Sequence, residues 1–246
     1  MAGHSKWANI KHRKAKSDAK KGKVFSRIAK EIISAVKVGG GPDPRSNPRL
    51  KMVLIKARAA NLPNDIIDRN IKKASSMDQA DFSEITYEFY GHGGVGLIID
   101  VMTDNKNRAS SEMRIATNKR GGVIASPGAV AFNFDRKGVI EISKKHAIED
   151  ELFKVAIEAG AEDFESEGDL FIITTDPTNL YNVKEAIAQL GFPVDEAYLD
   201  MIPKTYVECD VEAAKANLAL IDWLEELEDV DEVYHNMKIP DELQTP

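Results

Sequence analysis

Ten lysines and arginines fall within the first thirty residues: Lys6, Lys11, Arg13, Lys14, Lys16, Lys20, Lys21, Lys23, Arg27 and Lys30, against one acid, Asp18. Cations this dense suit repeated phosphate contacts, because each neutralised phosphate releases condensed counterions. An ordinary solvated helix face interleaves acids with its bases, and here they are missing. Trp7 and His12 sit among the cations. Trp7 has two uses open to it: stacking on a base, or packing on the neighbouring helices. The expected nucleic-acid-binding set is therefore Lys6, Trp7, Lys11, His12, Arg13, Lys14, Lys16, Lys20, Lys21, Lys23 and Arg27.

Other residue patterns offer less. Gly91-His92-Gly93-Gly94-Val95-Gly96 lacks the Gly-Lys-Ser/Thr of a phosphate-binding loop, and a strand pattern follows it rather than a helix. It reads as a hairpin turn. Thr103-Asp104-Asn105-Lys106-Asn107-Arg108 opens a helix. Capping by Asp104 or Asn105 is the favoured reading, with anion binding the alternative. The histidines, His4, His12, His92, His146 and His235, are not spaced as metal ligands, and Cys209 has no second cysteine. Glu225-Glu226-Leu227-Glu228-Asp229 ends an amphipathic helix and is expected to be a solvated face. No serine or cysteine lies in a nucleophile motif. The expectation is a protein that is not an enzyme, with no cofactor, no metal and no small-molecule substrate.

The charge along the chain is uneven. Residues 1–75 carry 19 Lys and Arg against 5 Asp and Glu, a net of +14, while the remainder carries −21. A basic segment on an acidic body points to a polyanionic partner for the former, with repulsion from the latter helping to orient it. The 246 residues allow one large domain or two to three small ones, and at 43% hydrophobic they can build cores without disulfides. No apolar run reaches the ~20 residues of a membrane span. The basic start lacks the apolar stretch of a secretory signal and is rich in lysine rather than arginine. It reads as part of a mature cytoplasmic protein, a monomer or weak oligomer.

The elements that would carry these residues follow from periodicity. Residues 1–16 read as an arm. Residues 17–38 read as a helix with Phe25, Ile28, Ala29, Ile32, Ile33 and Val36 on one face, ended by Gly39-Gly40-Gly41-Pro42. Asn47-Pro48 opens a second helix and Pro63 a third, giving a helical domain of about residues 1–80. Strands are expected at 84–90 and 95–101, a helix at 106–119 and a strand at 129–134 (AVAFNF). Residues 138–201 then read β-α-β-β-α-β, the ferredoxin-like order. A strand at 204–209, a helix at 211–228 and a strand at 232–237 close the chain. The flanking pieces are each an incomplete sheet. The division expected is therefore a basic helical domain (1–80), a discontinuous α/β domain (81–136 plus 204–246) and an inserted βαββαβ domain (137–203). The class is α+β, with a small helical domain and two α/β (ferredoxin-like) domains, one inserted in the other.

At this point particular motifs carry a family. The opening Met1-Ala2-Gly3-His4-Ser5-Lys6-Trp7-Ala8-Asn9-Ile10-Lys11-His12-Arg13-Lys14 resembles the start of the YebC/PmpR family of probable transcriptional regulators. Asn47-Pro48-Arg49-Leu50, Tyr87-Glu88-Phe89-Tyr90-Gly91, Thr103 to Arg108, Glu158 to Asp163, Met201-Ile202-Pro203 and Asp231 to Asn236 extend the match, in order, over nearly the whole chain. His92 stands where the family more often has proline, which counts against a special role for it. The resemblance implies three domains and a DNA-binding transcriptional regulator in the cytoplasm. It also implies an association of some relatives with the ribosome and translation. Two hypotheses follow: a regulator binding DNA, and a translation factor or translational activator binding RNA.

Overall fold

Two motifs that look like separate punctuation in the sequence form one joint. The structure, a computed structural model, describes residues 21–75 and 81–243. Helix α1 (Lys21–Val38) ends at the glycines, and α2 (Pro48–Ala59) begins after Asn47. The fully buried Asn47 side chain accepts from the Leu50 N–H at 2.9 Å and donates to the carbonyls of Ala35 and Gly41 at 2.8 Å each. It thus caps one helix while closing the end of the other. A Cβ at Gly39 would meet the Asn47 side-chain oxygen at 2.3 Å, so only glycine fits there. Helix α3 (Asn64–Ala74) starts one residue after Pro63, whose carbonyl accepts the Ile66 and Ile67 N–H groups. Ile28, Ile32, Val36, Leu50, Leu62 and Ile67 form the core of the three helices.

Strands β1 (Ser83–Tyr90) and β2 (Gly96–Thr103) pair antiparallel from Ser83↔Thr103 to Tyr90↔Gly96. They are joined through a short 3-10 turn at His92–Gly94. Helix α4 (Lys106–Arg120) follows, then the two-residue strand β3 (Val123–Ile124), which pairs with Phe89 and Tyr90. The strand expected at 129–134 is not formed. Alternation made the AVAFNF segment look like one, but the buried Glu88 carboxylate accepts the N–H groups of Gly128 and Val130 at 2.5 and 2.6 Å. That anchors an irregular turn, and Ala131–Asn133 is 3-10 with Phe132 72% exposed.

The chain then forms a separate compact unit, residues 131–206. It contains β4 (Phe134–Ser143), α5 (Glu149–Glu158), β5 (Asp163–Glu167), β6 (Leu170–Thr175), α6 (Leu180–Gln189) and β7 (Glu196–Pro203). The sheet is antiparallel in the order β5-β6-β4-β7, the ferredoxin-like arrangement, and Ile140, Ile142, Leu152, Phe171, Ile173 and Val183 fill its core.

Beyond it, β8 (Val207–Glu208), α7 (Val211–Glu226), β9 (Val230–His235) and β10 (Met237–Lys238) rejoin the first body. β9 pairs antiparallel with β2, with a bulge at Asp100/Val101, completing a sheet of order β3-β1-β2-β9, and β8 pairs with β10 in parallel. The four-stranded sheet thus combines strands more than a hundred residues apart in sequence. Helices α4 and α7 cover it through Ala109, Met113, Ala116, Leu220 and Leu224 on Leu97, Ile99 and Val101. The class is α+β.

Candidate nucleic-acid interface

Lys6, Trp7, Lys11, His12, Arg13, Lys14, Lys16 and Lys20 lie outside the described residues. Lys21 and Lys23 open α1. Arg27 is placed otherwise than expected. Its guanidinium is ion-paired with Glu232 on β9 and with Glu31 one turn along α1, and it donates to the Asp231 carbonyl at 3.3 Å. Burial works to lower the pKa of this group, but Glu232, Glu31 and Asp231 outweigh it and hold the pKa above the ordinary arginine value. Arg27, expected as a phosphate contact, is engaged here by carboxylates of its own chain. The helical spacing of the apolar residues leaves Arg27 off that face of α1 and says nothing of what lies across from it.

Lys30 repeats the pattern one turn on. Its ammonium donates to the carbonyls of Glu228 at 2.9 Å and Met102 at 3.4 Å, and it pairs with Asp229 at 3.4 Å. Asp229 ends the acidic run expected to be solvated, yet its side chain is 2% exposed. It accepts the Arg108 guanidinium on both oxygens and the Thr103 hydroxyl at 2.8 Å. A buried carboxylate is tolerated because cations and hydrogen bonds surround it. The motif Thr103–Arg108 thereby acquires its use. Asn105 caps α4, accepting from Asn107 and Arg108 at 3.1 Å, while Arg108 joins Asp104 to Asp229.

Lys37 pairs with Asp81 and Arg49 with Glu84, so four cations of the helical domain tie it to the sheet body. Part of the +14 net charge is thus internal docking charge. Glu31 also takes Lys56 at 2.6 Å. Burial would raise the Glu31 carboxyl, but Lys56 and Arg27 hold it below its ordinary range. Close by, Asp231 is pushed up to about 6, chiefly by burial. Facing outward are Lys51, Arg58, Arg69 and Lys72 on α2 and α3, all exposed. These four escaped the sequence reading, which weighed the densest run alone. For Lys51 and Arg58 a signal was available: α2 carries no acid at all.

Among the described residues, no group of three or more His, Cys, Asp or Glu could hold a metal ion. No described helix is long and apolar enough to cross a membrane. His92, in the glycine turn, is tied by its backbone to the Asn217 side chain at 2.8 and 3.0 Å, and its ring faces the Arg120 carbonyl.

The helical domain and the two-part remainder each match a known family model. Residues 5–77 match the TACO1/YebC protein N-terminal domain, and residues 82–237 match the TACO1/YebC second and third domain. The chain belongs to the TACO1/YebC family. Among relatives, a probable transcriptional regulatory protein of Protochlamydia amoebophila is 74% identical over 244 residues, 99% of each chain. One of Chlamydia pneumoniae with the same description is 56% identical over 238 residues, 96% of this chain and all of the relative. The crystal structure of a conserved hypothetical protein from Aquifex aeolicus superposes with a TM-score of 0.82 at 42% identity, covering 98% of this chain and 99% of that one. The family fold therefore extends over both bodies of the chain.

Proposed function

We propose that the protein is a DNA-binding regulator of transcription that grips duplex DNA through its basic N-terminal segment. The carrying observation is the run of cations from Lys6 to Lys23, which has one acid within it. The cations that follow it on α1, Arg27 and Lys30, are already satisfied by carboxylates of the sheet body. The phosphate contacts are then Lys6, Lys11, Arg13, Lys14, Lys16, Lys20, Lys21 and Lys23, flanked by Lys51, Arg58, Arg69 and Lys72. Relatives named as transcriptional regulators support the reading. The chemistry is binding rather than catalysis, and phosphate contacts of this kind position a protein without reading sequence.

The test is the salt dependence of duplex binding by the full chain. With about five to eight phosphates neutralised, log K should fall with log[salt] at a slope near −5 to −7. Trp7→Ala should weaken binding by about 1–3 kcal/mol without lowering thermal stability if the indole stacks on a base. Salt-independent binding would refute the reading. Co-sedimentation with ribosomes, in the absence of duplex binding, would replace it by the translational one.

A further inference from the structure

Outside the helical domain, the body that holds the β3-β1-β2-β9 sheet is strongly acidic. Residues 81–130 and 207–246 carry seven Lys and Arg against eighteen Asp and Glu. Five of those seven cations lie on the fifteen residues of α4. Two of the five serve the fold: Arg108 clamps Asp229, and Arg120 lies over the Trp223 ring at 5.1 Å. Lys106, Arg114 and Lys119 are exposed and make no ion pair among the described residues. Cations serving only to offset the surrounding acids would be drawn into pairs with them, and these three are not.

The helix geometry sorts the rest. Ala109, Met113 and Ala116 are buried on one side. On the opposite side, Asn107, Ser111, Arg114 and Asn118 recur at i, i+4, i+7 and i+11, and all four are exposed. At about 100° per residue they make a single outward stripe of hydrogen-bonding side chains, with Lys106 and Lys119 off it, one on each flank at opposite ends of the helix. Glu112, the helix's one acid, is not on that stripe. It is partly buried, and its neighbours include Asp229 and Arg108.

We propose that this outward stripe of α4, together with the cations that flank it, is a second contact to duplex DNA. Lys106, Arg114 and Lys119 neutralise phosphates, while Asn107, Ser111 and Asn118 donate and accept hydrogen bonds along the groove. The proposal rests on the DNA-binding reading above and extends it to a surface in the acidic half of the chain. An α-helix fits the major groove of B-form DNA, whereas the A-form groove of duplex RNA is too narrow to admit one. The Asp229 node adds a geometric reason. Lys30 of α1 and Arg108 of α4 share its carboxylate, which holds α4 in a fixed relation to the helix that continues the basic arm. A contact on α4, added to those of the basic segment, sets a register on the duplex that either contact alone does not.

The experiment measures binding of the full chain to labelled duplex DNA over a range of salt. The triple variant Lys106→Gln, Arg114→Gln, Lys119→Gln should make the salt slope shallower by about two to three units, with an unchanged melting temperature. The double variant Ser111→Lys, Asn118→Lys should steepen it by about two units, a gain that misfolding cannot produce. An arm variant in the full chain, Lys11→Gln, Lys14→Gln, Lys16→Gln, is the reference for the DNA-binding reading. If the arm variant loses affinity and both α4 variants keep the wild-type slope, the α4 proposal is overturned and the arm reading stands. If the unmodified protein shows no salt-dependent duplex binding, the DNA-binding reading falls and takes this one with it. Equal effects of the α4 variants on duplex RNA would overturn the assignment to B-form DNA.

Discussion

Helices α1 and α4 are both basic, and the structure uses their cations in opposite ways. On α1, Arg27 and Lys30 turn toward Glu232 and Asp229 and fasten the helical domain to the sheet body. On α4, only Arg108 is used so, while Lys106, Arg114 and Lys119 stay exposed. Charge density along a sequence therefore does not rank residues as ligand contacts. What ranks them is whether a neighbouring element supplies a carboxylate, because a nearby fixed anion in a partly buried setting outcompetes a mobile one in solvent.

The harshest way to break the comparison is at the shared carboxylate. Asp229→Ala leaves Arg108 and Lys30 without their buried partner and should cost about 3 kcal/mol in a denaturant titration. If stability were unchanged, the node would be a surface pair of little worth.

The next contrast is between cations inside and outside the fold. Arg27→Gln should lower stability by about 1–3 kcal/mol, since it strands Glu232 and part of Glu31, while leaving the salt slope for DNA unaltered. Lys14→Gln should do the reverse, making the slope shallower by about one unit with no change in melting temperature. Exchange of those two outcomes would mean that the roles of the arm and the first helix have been assigned the wrong way round.

A smaller effect concerns Asp231 beside that cluster. Burial raises its carboxyl to about 6, helped by Glu31 and opposed by Arg27, Lys30 and Lys56. The folded state then holds the proton more tightly than the unfolded chain, whose value is about 4. Its ionisation therefore costs stability as pH rises from about 4 to 6, and the cost is complete above that window. Asp231→Asn should stabilise the protein by about 1–2 kcal/mol at pH 7.5 and by nothing at pH 4, read from melts at the two values. A gain of equal size at both would show that lost charge is not its cause.

The inserted unit offers the mildest test, since it contributes none of these pairs. Residues 131–206 expressed alone should give a dispersed NMR spectrum, because their four strands and two helices already close one core. The isolated segment 81–130 should not, because its sheet then lacks β9.

Much of this molecule was legible in its residues. The face of α1 from Ile28 to Val36, the Asn47-Pro48 start of α2, a cap of α4 at Asp104 or Asn105 and the alternating strands of the βαββαβ stretch follow from local sterics and period, and local sequence encodes both. The short β3 was not legible, because two residues carry no period, and 129–134 was misread, because the backbone at Gly128 and Val130 is held by Glu88, some forty residues earlier. The basic run and its acidic counterweight were likewise plain in the sequence. Which cations are spent and which are free was decided by the tertiary structure alone. Asp229 lies 199 residues from Lys30 and 121 from Arg108. No pattern in the chain records that distance in space, and a charge's partner is set by proximity and burial rather than by order along the chain.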